Sequence, residues 1–190
     1  MRIIHNLDGV TKMEYLSQRD PRWANVTIGE TTTTLGRMGC TITCLSMLTD
    51  YFGCKLSPAQ IAQNANNFSN DSVQWINLDF PTFSFRWREG HYFSDADNII
   101  DIEVIKAYLA TGNDSEQRNN RAVLLEVANR SHWVVGLYYS YGDIIAIDPW
   151  TGKTVRVLET YGNITGAALF QANTKDAWRG KGQPEAPDYN

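Results

Sequence analysis

Long hydrophobic runs are missing from this chain of 190 residues. The most apolar stretches, such as Trp133-Val134-Val135 and Ile144-Ile145-Ala146-Ile147, fall far short of the roughly 20 residues that cross a bilayer. No transmembrane segment is expected, and the protein reads as soluble. Blocks of one charge are missing too. The 17 basic and 21 acidic residues are interspersed to a formal net charge of -4, which leaves no electrostatic footprint for nucleic acid. The N-terminal Met1-Arg2-Ile3-Ile4-His5-Asn6 has neither an apolar stretch nor a small-residue cleavage site, so no signal peptide is visible. Cysteine is scarce: Cys40, Cys44 and Cys54 cannot all pair internally and are crowded together instead of spread as a stapling framework. The spacing Cys40-x3-Cys44 with no nearby histidine also suits zinc poorly. Neither a metal nor a cofactor is expected, and no internal repeat of 20–50 residues is visible.

What is present is an ordinary globular composition, 43% hydrophobic and 20% charged, in a length that buries one good core. One domain over residues 1–175 is expected, followed at 176–190 by a polar tail whose Gly, Pro and Gln content reads as linker. Residues 13–39 are turn-rich and read as loop. From Cys40, the residues Ile42, Leu45, Met47, Leu48, Tyr51 and Phe52 recur at helical spacing until Gly53, which predicts a helix of about three turns with Cys40 in its first turn. Ser57 and Pro58 announce a second helix as N-cap and first helical residue, with an asparagine-rich exit at 64–70. Alternation through residues 80–93 predicts a half-exposed strand with a turn at Glu89-Gly90, and residues 101–110 a helix with Ile102, Ile105 and Leu109 on one face. Strands then follow at 121–128, 132–139, 144–147, 154–158 and 166–170. Helices first and strands second indicate an α+β fold with segregated halves.

The reactive form of cysteine is the thiolate, which is a minor species near neutrality unless the surroundings lower the thiol pKa. A helix N-terminus does so through its unpaired N–H groups and macrodipole. Cys40 is placed at such a start, and Gly39 before it has no side chain to block a substrate. Cys44 lies one turn in and Cys54 just past the helix end. Of the three histidines, His5 is near a terminus and His91 follows Gly90, while His132 opens the strongest strand signal. A histidine base has to be held by a rigid element, with its second nitrogen on a carboxylate or amide. Asp148 closes the next strand, and a hairpin between the two strands brings residues 132 and 148 together. Taken singly, Cys40 also reads as a small buried residue and Asp148-Pro149 as an ordinary turn starter; the weight lies in the combination. Trp133, beside His132, is read as a wall of the site, and Trp75, Trp87 and Tyr92 as mainly core.

Four blocks together, Tyr15-Leu16-Ser17-Gln18-Arg19-Asp20-Pro21-Arg22-Trp23, Gly39-Cys40-Thr41-Ile42-Thr43-Cys44-Leu45-Ser46-Met47, Ser131-His132-Trp133-Val134-Val135-Gly136 and Ile147-Asp148-Pro149-Trp150, resemble the C39-like cysteine peptidases. The resemblance runs from about Tyr15 to Gly152, most of the chain. It implies a papain-like fold, with an N-terminal helical half whose central nucleophile helix packs on a C-terminal antiparallel β-sheet. It implies Cys40 as nucleophile, His132 as base, Asp148 as the group that orients it, and Gln18 with the Cys40 N–H as oxyanion donors. Cys44 departs from the family pattern, where a serine or alanine is usual. Domains of this family either remove leader peptides, usually fused to a transporter, or occur in bacterial cell-wall proteins and phage lysins. With no transporter segment in view, a phage or bacterial enzyme that cuts peptide crosslinks of peptidoglycan is the leading expectation. A silent papain-like binding module and a leader-processing peptidase stand as alternatives. A redox role for Cys40 and Cys44 would need a disulfide across one helical turn, an awkward geometry.

Overall fold

The computed structural model describes residues 13–89, 100, 102–110 and 121–173. The expected tail at 176–190, the Glu89-Gly90 turn's glycine, His5, His91 and Tyr92 lie outside the described residues.

The expected central helix is α2, Cys40–Tyr51. Every residue from Ile42 to Thr49 is buried, which makes α2 an interior helix that meets solvent only at its two ends. Two of its buried hydroxyls are accommodated by backbone carbonyls: Ser46 Oγ donates to Leu56 O at 2.6 Å and Thr49 Oγ1 to Ser46 O at 2.7 Å. A four-residue helix α1, Leu35–Met38, precedes it, inside a stretch expected to be loop. Helix α3, Pro58–Ala62, starts with the expected cap: Ser57 accepts from Gln60 N–H, and the Gln60 side chain accepts from Ser57 N–H. This reciprocal pair satisfies two orphan donors of the first turn. A two-stranded hairpin, β1 Phe68–Ser69 with β2 Ser72–Val73, occupies the asparagine-rich exit.

The main sheet has six antiparallel strands: β3 Phe83–Glu89, β4 Arg121–Val127, β5 His132–Ser140, β6 Asp143–Asp148, β7 Lys153–Arg156 and β8 Gly166–Ala172, in the order β3-β8-β4-β5-β6-β7. Alternation along β4 sends Leu124 to one face and Val123, Leu125 and Val127 to the other. The first face packs on Ile42, Leu45 and Leu48 of α2, together with Val135, Ile147 and Phe170. The second packs on Ile105 of α4, Ile102–Ala110, and on Val157 of α5, Val157–Tyr161. A strand buried on both faces needs an unbroken apolar run, which is why residues 123–125 show no polar alternation. Ile102 and Leu109 face this second core as expected.

Two expectations need correction. Helices cover both faces of the sheet, because α4 and α5 fill the second one, and β3 from the first half of the chain joins the sheet at its edge beside β8. The halves are therefore less segregated than a helices-then-strands reading suggests. The strand expected at 154–158 ends at Arg156, and residues 157–161 form α5 instead. The cause is a cap from a distant residue: the carboxylate of Asp143 accepts the N–H groups of Leu158 at 2.8 Å and Glu159 at 3.1 Å.

Candidate active site

Cys40 is the first residue of α2, and Gly39 connects it to α1. The chain turns there with so little room that a Cβ on Gly39 would lie 2.5 Å from Leu35 O and 2.7 Å from Leu35 Cδ2. Gly39 is itself buried. The close approach of Leu35 is by itself reason for a glycine at this position.

The β4–β5 hairpin delivers His132. Its turn holds Ala128, Asn129 and Arg130 with φ of 52, 52 and 69°, left-handed conformations that cost non-glycine residues about 1–2 kcal/mol each. Ser131 ties the turn down by donating its N–H and its hydroxyl to Ala128 O, at 3.2 and 2.6 Å. The next residue is His132, paired in register with Val127. Backbone strain of this kind persists where the surroundings over-determine it, often beside functional groups.

Strand β6 runs antiparallel to β5 and ends at Asp148. His132 Nε2 meets Asp148 Oδ1 at 2.7 Å, with the two side chains only 13% and 6% exposed. Asp148 Oδ1 also accepts the N–H of Trp150 at 2.8 Å. With Nε2 on the carboxylate, Nδ1 is the nitrogen left for Cys40. Burial alone would raise the Cys40 thiol, but hydrogen bonding to His132, the imidazolium charge and the backbone N–H of Trp133 outweigh it and the pKa falls below its ordinary value. Burial works against the charged form of His132 as well. Hydrogen bonds to Asp148 and Cys40 prevail, and its pKa is raised to about 9. Asp148 follows the same logic in reverse: burial is opposed by His132, by the Trp150 N–H and by Tyr161, and its pKa is lowered. A thiol pushed down beside an imidazole pushed up is the electrostatic signature of a thiolate–imidazolium pair.

A family model described as the Peptidase_C39 like family matches residues 10–183. The chain belongs to this family. No curated protein and no solved structure matches it.

For a C39-like chain, the remaining expected positions fall as follows. Gln18 is 1% exposed. Its backbone N–H donates to Pro149 O at 2.7 Å and its Nε2 to Gly36 O at 3.3 Å. It therefore lies between the turn after Asp148 and helix α1, and makes no hydrogen bond to Cys40, His132 or Asp148 among the described residues. Its Oε1 is buried without a protein partner there. Trp133 is 6% exposed, and its ring lies 5.0 Å from that of Trp75 in the α2 core. Strand alternation turns its side chain away from the direction of His132 and into the core, and its backbone N–H acts on Cys40. Cys44 is fully buried, and its Sγ donates to Trp133 O at 3.4 Å. Burial, then the neighbouring Cys40 and Asp148, pushes its pKa well above the ordinary range, which leaves an inert packing thiol. All three cysteines are free.

Sequence reading missed Tyr161. Its ring lies 5.9 Å from that of His132, and burial together with the Asp148 charge raises its pKa, keeping the phenol protonated. The only available signal was the spacing of Val157 and Tyr161 on one helical face, and the strand expected at 154–158 took the first two residues of that helix.

Proposed function

We propose that the protein is a cysteine peptidase of papain-like fold that hydrolyses amide bonds through an acyl-enzyme, with Cys40 as nucleophile, His132 as acid and base, and Asp148 as the group that holds the imidazole. The observation that carries this reading is the buried pair of His132 and Asp148, 2.7 Å apart, together with a thiol, at the start of an interior helix, whose pKa the imidazole lowers. The Cys40 thiolate attacks the scissile carbonyl, and the His132 imidazolium gives its proton to the leaving amine. Neutral His132 then activates the water that releases the acyl group from sulfur. Gln18 and the Cys40 N–H are the proposed oxyanion donors. A carboxamide has two N–H donors; one is engaged by Gly36 O, and the second is available to the developing charge, where such a donor is worth about 2.7–4 kcal/mol.

The proposed substrate is the peptide crosslink of peptidoglycan, in the manner of a phage lysin endopeptidase. Support comes from the surface beside the triad. Trp150 is 44% exposed directly after the Asp148 turn, and the Arg19 guanidinium lies 4.6 Å from the centre of its ring. An exposed aromatic with a cation on it suits an extended peptide that carries free carboxylates, as peptidoglycan stems do.

The test is incubation of the wild-type protein and Cys40→Ala with purified peptidoglycans and with peptide libraries, followed by mass spectrometry of new amine termini. The wild type is expected to create such termini in peptidoglycan and Cys40→Ala to create none. New termini only in linear peptides would overturn the substrate. Equal signals from both proteins, or none from either, would overturn the peptidase.

A further inference from the structure

Two arginines three residues apart both lie on tryptophan rings, and they differ in what else they hold. The Arg22 guanidinium is 4.3 Å from the centre of the Trp23 ring and is engaged by Asp20, whose two carboxylate oxygens accept its Nε at 3.0 Å and its Nη2 at 2.8 Å. Arg19 is exposed over the Trp150 ring, and no carboxylate lies within ion-pair distance of it among the described residues. The donors of the Arg19 fork are therefore left for a ligand. The loop that carries Arg19 is also fastened to the turn that carries Trp150. Ser17 Oγ donates to Trp150 O at 3.1 Å and accepts the Arg19 N–H at 3.2 Å. A Cβ on Gly152 would stand 3.4 Å from Ser17 Cβ, so loop and turn are closely packed. Arg19 thus follows the proposed oxyanion donor Gln18, and the ring beneath it belongs to a residue whose N–H is bonded to Asp148.

We infer that Arg19 is a specificity-determining residue of the site, which takes a free carboxylate of the substrate peptide on its guanidinium and discriminates against the corresponding carboxamide. The inference rests on the peptidase and peptidoglycan reading above and names the group that is read: a γ-linked glutamyl residue leaves its α-carboxylate free. A guanidinium presents paired N–H donors at the spacing of the two carboxylate oxygens, and charge strengthens both bonds. A carboxamide of the same shape offers one oxygen and no charge, and its own N–H groups would face further donors. Contact with the Trp150 ring restrains the long side chain before the substrate arrives, so less freedom is lost on binding. Arg22 is excluded from this role because Asp20 already occupies its fork.

The experiment is an NMR binding titration of the full-length Cys40→Ala protein with two synthetic peptides, Ala-γ-Glu-Lys-Ala-Ala with its C-terminus amidated in both. One peptide keeps the glutamyl α-carboxylate free, and the other carries it as a primary amide. The acid form is expected to bind about tenfold more tightly. Adding Arg19→Gln is expected to remove that preference. Arg37→Gln serves as the control: it takes one charge from an exposed position on α1, next to the Gly36 carbonyl that Gln18 meets, and is expected to keep most of the preference. Equal binding of the two peptides, binding of neither, a preference that survives Arg19→Gln, or one lost as fully in Arg37→Gln would overturn the inference. Binding is read without turnover. A preference for the acid form with no cleavage by the wild type would sink the peptidase reading alone, whereas cleavage of both forms at equal rates would sink the role of Arg19 alone.

Discussion

Cys40 and Cys44 are one helical turn apart and differ in everything that governs sulfur chemistry. Cys40 is half-buried at the end of α2 where N–H groups point outward, and His132 faces it. Cys44 is sealed in the core and donates to a carbonyl. The helix start separates the two in the sequence, and burial shows Cys44 to be a small packing residue whose thiol meets Trp133 O. Cys44→Ser is therefore expected to keep most of the peptide hydrolysis of the wild type and to lower stability by about 1–2 kcal/mol, because a hydroxyl is less at home in that core than a thiol. Urea unfolding and alkylation counts on the same preparation check both halves. Loss of activity without loss of fold would make Cys44 part of the chemistry. The pH dependence follows from the two shifted groups. The proposed ion pair is favoured above the lowered Cys40 pKa and below the raised His132 pKa of about 9. The ratio kcat/KM is expected to be bell-shaped, with an alkaline limb near that value as the imidazolium loses the proton it must deliver. An alkaline limb near 6.5 would mean that Asp148 does not support the ring.

At the scale of elements, the site is the meeting of one helix start and one hairpin. The hairpin was readable because His132 and Asp148 flank the turn at Tyr141-Gly142-Asp143, and the structure has Tyr141 and Gly142 at φ of 49 and 81°, the pair of left-handed conformations of a type I′ turn. Helix α2 was readable because Gly39 and the helical spacing after it agree. Helix α1 and helix α5 were not. Four residues carry too little periodicity to be seen, and α5 exists because Asp143, fourteen residues earlier in the chain than Val157, caps it. That interaction cannot be found by local pattern, and Tyr161 was lost with it. Trp133 was misjudged for a related reason: a neighbour in sequence on a strand points to the opposite face. The hairpin offers a clean test of its turn. Tyr141 is 94% exposed, so its ring contributes no packing, yet its backbone is held where asparagine is favoured. Tyr141→Asn is expected to raise stability by about 0.5–1 kcal/mol, read as a higher urea midpoint with an unchanged slope. A lower midpoint would show that the turn conformation is not the one described.

For the whole molecule, the proposed function depends on a seam. Gln18 and Cys40 come from the segment that packs on one face of the sheet, His132 and Asp148 from the sheet itself, and Tyr161 from the helix on its other side. The bonds that register them include Gln18 N–H to Pro149 O and Cys44 Sγ to Trp133 O. The order Gln18, Cys40, His132, Asp148 was visible along the chain, while the contact of Cys40 with His132 depends on α2 docking against β5 at the correct height. The measurement that tests this assembly most directly is the rate of Cys40 alkylation by a neutral haloacetamide across pH, in wild type and in His132→Ala. The wild type is expected to react at a high, nearly flat rate from mildly acidic pH upward, and His132→Ala to lose that acidic plateau. A wild-type rate that simply rises through about pH 8.5, as for an isolated thiol, would contradict the ion pair on which the mechanism rests.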